Sequence, residues 1–127
     1  MGQDFLACKL GDKLRTLTIN NVEKREVTLK EDKGTAERVV LLTTEKDRDR
    51  DFELSDVYVK DYKGFRIQGL WFSFVEGRIP PTSALGKVLH HYKVDTLNEL
   101  IGMDVMAYPD KNNYLVLVAC DPKHLNT

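Results

Sequence analysis

The chain has 127 residues, room for one domain around one hydrophobic core, and it reads as a single domain over residues 1–127. Apolar residues make up 42% and charged residues 31%, a mixture that folds in water and carries too much charge for a membrane span. Nineteen basic residues stand against 20 acidic ones, a net charge of -1, which excludes binding of nucleic acid by bulk positive charge.

Residues 1–10 carry Asp4 and Lys9 where a secretory signal needs an unbroken apolar run, so the expectation is a cytoplasmic protein. Cys8 and Cys120 match no metal-ligand or redox spacing and read as buried or free thiols, with a disulfide between the two ends of the chain as the alternative.

Residues 14–29 read as one or two long strands, because Leu17 and Ile19 alternate and Val27 and Leu29 resume the same parity after a polar middle. A bulge near Asn20-Asn21 accounts for Val22 being out of phase. Glu31-Asp32-Lys33-Gly34 is a turn. Residues 37–45 form a strand whose centre, Val39 to Leu42, is apolar on both faces, so its second face needs a cover. Residues 46–53 alternate in charge with no apolar residue before Phe52, and read as a solvated loop. Residues 56–63 form a short tyrosine-bearing strand or extended loop, and 65–74 form the strongest strand, rich in aromatics and closed by Glu76-Gly77.

Pro80-Pro81-Thr82-Ser83 is a helix start: proline lacks the donor that a first turn leaves unpaired, and Thr82 or Ser83 caps the remaining amides. Leu85, Val88, Leu89 and Tyr92 then fall at helical spacing on one face. Thr96 begins a second short turn through Leu97, Leu100 and Ile101 that Gly102 stops. Residues 103–108 and 114–120 are two strands joined as a hairpin across residues 109–113.

Three strand regions, a helix and two strands give a mainly β protein on the plan of the five-stranded OB-type barrel, with one helix between strands 3 and 4 and a long, bent first strand. An SH3-type barrel has five strands too but lacks a two-turn helix at this place. Residues also carry a likeness. Ile67-Gln68-Gly69-Leu70-Trp71, the run Ile79-Pro80-Pro81-Thr82-Ser83-Ala84-Leu85-Gly86-Lys87-Val88-Leu89, and Leu97-Asn98-Glu99-Leu100-Ile101-Gly102-Met103-Asp104-Val105 resemble the last two thirds of small phage and archaeal OB-fold proteins of single-stranded DNA-binding type. The likeness covers about residues 65–120 and rests on packing residues, so it implies fold more than function.

A strand that alternates strictly over residues 65–74 mixes polar and apolar residues on both faces. A one-residue bulge at Gly69 repairs this, turning Phe65, Ile67, Leu70, Phe72 and Phe74 inward and Arg66, Gln68, Trp71 and Ser73 outward. The outward set suits a single strand: a base stacks on Trp71, Arg66 reaches a phosphate and Gln68 a base edge. Tyr58, Lys60, Tyr62 and Lys63 extend this platform, and Arg25 is the cation taken from the neighbouring strands. The competing reading makes Trp71 core.

Residues 1–78 hold 15 basic and 15 acidic residues, so local segregation of charge stays open despite the overall balance. No enzyme, metal or cofactor is expected. His90-His91 are adjacent on a helix and do not share a face, no nucleophile or phosphate-loop motif occurs, and Asp47, Asp49 and Asp51 lack the glycine and glutamate of a calcium loop. The expected function is non-catalytic binding of single-stranded nucleic acid, DNA in the first instance, weak and salt-sensitive, accessory to replication, repair or a viral genome. The alternative is a protein-interaction module or homo-oligomer without nucleic acid, using an exposed strand edge or the Trp71 face.

Overall fold

The computed structural model describes residues 14–61, 64–72 and 75–120. In chain order these form β1 (Arg15–Thr28), β2 (Thr35–Glu45), β3 (Arg50–Leu54), β4 (Asp56–Asp61), β5 (Gly64–Gly69), α1 (Ala84–His91), β6 (Asp104–Pro109) and β7 (Leu115–Val118). The strands make one mixed sheet in the order β3-β2-β1-β6-β7-β4-β5, antiparallel except where β4 runs parallel to β7.

This corrects the five-stranded OB-type barrel: the sheet has seven strands in an open hydrogen-bonded order, and its helix lies between β5 and β6. Two segments account for the difference. The supposed loop at residues 46–53 contains β3, in which Phe52 lies opposite Thr43 and Leu54 opposite Leu41, with the intervening Asp51 and Glu53 exposed. The aromatic strand, expected to run to residue 74, ends its ladder with β4 at Gly69. The resemblance to OB-fold single-stranded DNA-binding proteins falls with the barrel, because the residues that carried it are packing residues of a different sheet.

The sheet is nonetheless strongly rolled. β3 stands at one end of the order and β4 next to the other, yet Ser55 alone separates them. Past Gly69 the chain crosses over: the Leu70 amide donates to the Ser55 carbonyl (2.9 Å), the Val39 amide to the Leu70 carbonyl (2.7 Å) and the Phe72 amide to the Glu37 carbonyl (2.8 Å). Residues 70–72 thus take the place beside β2 that β3 leaves after Leu54.

β1 is long because it serves two neighbours. Its first residues pair with β6, and from Thr18 onward it pairs with β2. The register shifts between Ile19 and Asn21, the irregularity that the out-of-phase Val22 implies. The turn to β2 uses positive φ at Glu31 (60°) and Gly34 (89°).

The core packs Leu17, Leu41, Leu54, Val57, Leu100 and Leu117 of the sheet and the 3-10 turn Leu97–Leu100 against Leu85, Val88 and Leu89 of α1. Ser83 caps that helix, its Oγ accepting from the Gly86 amide (3.1 Å). A Cβ on Gly86 would stand 2.2 Å from the Pro80 carbonyl oxygen, so only glycine lets the first turn close onto the two prolines. No helix among the described residues is long and apolar enough to cross a membrane.

Candidate functional site

The expected bulge at Gly69 does not form. The β4–β5 register runs unbroken from Asp61 opposite Gly64 to Asp56 opposite Gly69. Arg66 therefore lies opposite Val59 and Gln68 opposite Val57, both valines being core residues, while Ile67 lies opposite Tyr58 on the other face and is 45% exposed. The phase of β5 is inverted relative to the sequence reading: the isoleucine assigned to the interior is outside, and Arg66 and Gln68 sit on the face of the core valines, beyond the edge of the core.

Trp71 lies outside the core, on the outward side expected of it. It is 39% exposed, forms an isolated bridge with Arg38, and carries the Arg38 guanidinium over its ring at 4.8 Å from the centroid. Such a cation satisfies the negative face of an indole. Arg38 is fixed in turn by its Nε donating to the Ser55 carbonyl (3.0 Å) and by an ion pair with Asp56. Gly69 makes room for the arrangement, since a Cβ there would meet Trp71 Nε1 at 2.8 Å and Arg38 Nη2 at 2.9 Å. The partners of Arg38 lie across the sheet, so no local signal in the sequence marks it.

The remaining expected contacts do not assemble with Trp71. Arg25 donates to Glu23 (2.8 and 3.1 Å) and to Glu53 (2.9 and 3.0 Å). The hydrogen bonds to Glu53 and then Glu23 raise its pKa further above the usual arginine range, and the same bond to Arg25 holds the Glu53 carboxyl below the usual carboxylate value. Tyr58 is half-buried, donates its hydroxyl to the Pro109 carbonyl (3.2 Å) and packs edge-on against Tyr108 at 6.1 Å. Burial, with Asp110 and Tyr108 nearby, pushes its pKa up. Lys60 is exposed and lines a cleft with Lys87 and His90 of α1, away from Trp71. Tyr62 and Lys63 lie outside the described residues, as does Cys8; Cys120 is buried.

The expectation of a single-stranded nucleic-acid partner is corrected by these positions. Stacking needs an open ring and phosphate binding an uncommitted cation. Here the Trp71 ring is covered on one face by an arginine, and Arg38 and Arg25 are committed to Asp56, Glu23 and Glu53.

Two other features went unread in the sequence. At the end of the rolled sheet a cleft of about 340 Å³ is lined by Arg15, Arg50, Phe52, Tyr108 and Leu115. Arg15 grips both oxygens of the nearly buried Glu45 there (3.0 and 3.1 Å). Separately, three of the five large apolar residues most exposed among those described, Ile67, Trp71 and Val75, belong to β5 and the chain that continues it. Among the described residues no group of three or more His, Cys, Asp or Glu side chains converges as metal ligands would. Comparison with protein-family models, with curated proteins and with solved structures finds no match to this chain.

Proposed function

We propose that the protein is a non-catalytic interaction module that takes an extended polypeptide segment as an added strand along β5. The observation that carries this reading is the terminal position of β5 in the sheet, with Ile67 exposed at its centre. Bonded and non-bonded pairs alternate along an antiparallel ladder. The Leu70 amide bonds Ser55, so Gln68 and Arg66 are the residues bonded to β4, and the amide and carbonyl of Ile67 point away from it. Main-chain groups so directed supply affinity in strand addition, and alternating side chains supply selectivity. Ile67 and Trp71 offer apolar contacts to such a segment, and a net charge of -1 suits a protein partner better than a polyanion.

The test is an amide-resolved NMR titration of the whole chain with extended peptides of alternating apolar residues. Shifts centred on the Ile67 amide that vary little between 50 mM and 500 mM salt are expected, since an apolar, main-chain contact is barely screened. Peptide binding that leaves the β5 amides unmoved, or no binding across a varied peptide set, overturns the reading.

A further inference from the structure

We infer that the segment received by β5 is β5 of a second copy of this chain, paired antiparallel about a two-fold axis through Ile67; this rests on the strand-addition reading above. The two ends of the sheet differ in how they discourage such pairing. Exposed edges are normally protected by charge, proline or bulges. β3, at one end, reads Arg-Asp-Phe-Glu-Leu, three charges in five residues. β5, at the other end, reads Gly-Phe-Arg-Ile-Gln-Gly, one charge in six, with no proline and with an unbroken register.

The sequence of β5 is also self-complementary in that register. With Ile67 opposite its own copy, Arg66 falls opposite Gln68 and Phe65 opposite Gly69, on both sides of the axis. The single charge of the strand never meets itself, whereas like charges directly opposite destabilise a ladder. The Ile67 amide and carbonyl, directed away from β4, meet their own equivalents, so the axis carries a reciprocal pair of main-chain bonds. The same contact places the exposed Ile67 side chain against that of the second copy. At a net charge of -1 each, two copies do not repel appreciably. An isologous contact of this kind closes at a dimer and cannot propagate into a fibre.

Sedimentation equilibrium of the full chain over a wide concentration range is expected to show a monomer–dimer equilibrium. Gln68→Glu places a carboxylate opposite Arg66 twice and tightens the dimer by about two- to thirty-fold, the worth of two cross-strand ion pairs; Gln68→Arg weakens it by a similar factor, less so at high salt. Ile67→Pro removes the outward amide without touching the bonds to β4 and gives a monomer, with circular dichroism checking that it stays folded. A chain that is monomeric at all concentrations, or a dimer indifferent to both Gln68 variants, overturns the inference. If that monomer still binds extended peptides at the Ile67 amide, the strand-addition reading survives alone; if it binds none there, both fail.

Discussion

Arg38 shows how one side chain can order a surface. Its guanidinium lies over Trp71, donates to the Ser55 carbonyl and pairs with Asp56, tying β2, the β3–β4 junction and the chain after β5 to one another. Gly69→Ala forces the Trp71 indole and the arginine apart, so the tryptophan emission is expected to shift to the red with a small loss of stability, checked by fluorescence and urea unfolding. Gly86 is less forgiving, because the obstacle there is the main chain of Pro80 and Pro81. Gly86→Ala is expected to cost about 1–3 kcal/mol, the usual range for overpacking a close contact, read from the urea midpoint.

Tyr92 supplies a pH dependence at the same scale. It is largely buried, donates its hydroxyl to the Val118 carbonyl (2.6 Å) and accepts from the Met106 amide (3.2 Å). Burial pushes its pKa up to about 12, against an ordinary tyrosine value of 10. The unfolded chain therefore loses this proton first. The contribution of the neutral phenol is fully present below pH 10 and is lost as pH rises through 12. Stability measured by urea unfolding is expected to fall across that window in the native chain and to fall less in Tyr92→Phe, which starts lower by about 1 kcal/mol for the lost hydrogen bond.

At the scale of elements, local chemistry set α1 and its neighbours. The Pro-Pro-Thr-Ser start, the apolar face of Leu85, Val88 and Leu89, and the turn capped by Thr96 and left at Gly102 are all decided within a few residues, and the structure contains each of them. Ser83→Ala is expected to lower stability by about 1 kcal/mol through loss of the cap, seen as a drop of a few degrees in Tm. β3 was hidden for the opposite reason. Its Arg50, Asp51 and Glu53 resemble a solvated loop, and only the facing Leu41 and Thr43 of β2 give Phe52 and Leu54 something to bury against. In β5 the error was one of phase. An edge strand beyond the core need not turn its apolar residues inward, so Ile67 could face solvent while Gln68 shared the face of Val57.

For the whole molecule, the rolled sheet depends on contacts far apart in sequence: β1 against β6, β4 against β7, and residues 70–72 against β2. The Arg15–Glu45 pair belongs to this level, joining two strands 30 residues apart at one end of the roll. Glu45→Ala leaves Arg15 half-buried without its carboxylate and is expected to destabilise the fold by about 1–3 kcal/mol, checked by denaturant unfolding.

By itself the sequence determined a chain rich in strands, a bulged first strand, a capped helix after the aromatic strand and a closing hairpin, because caps, turns and alternation act over a few residues. Only the tertiary structure decided the number of strands, their order, the face that β5 presents and the partners of Arg25, Arg38 and Trp71. Pairing between distant strands carries no local signature, and a charged side chain reveals its role only when the fold brings its counter-charge or its ring within reach.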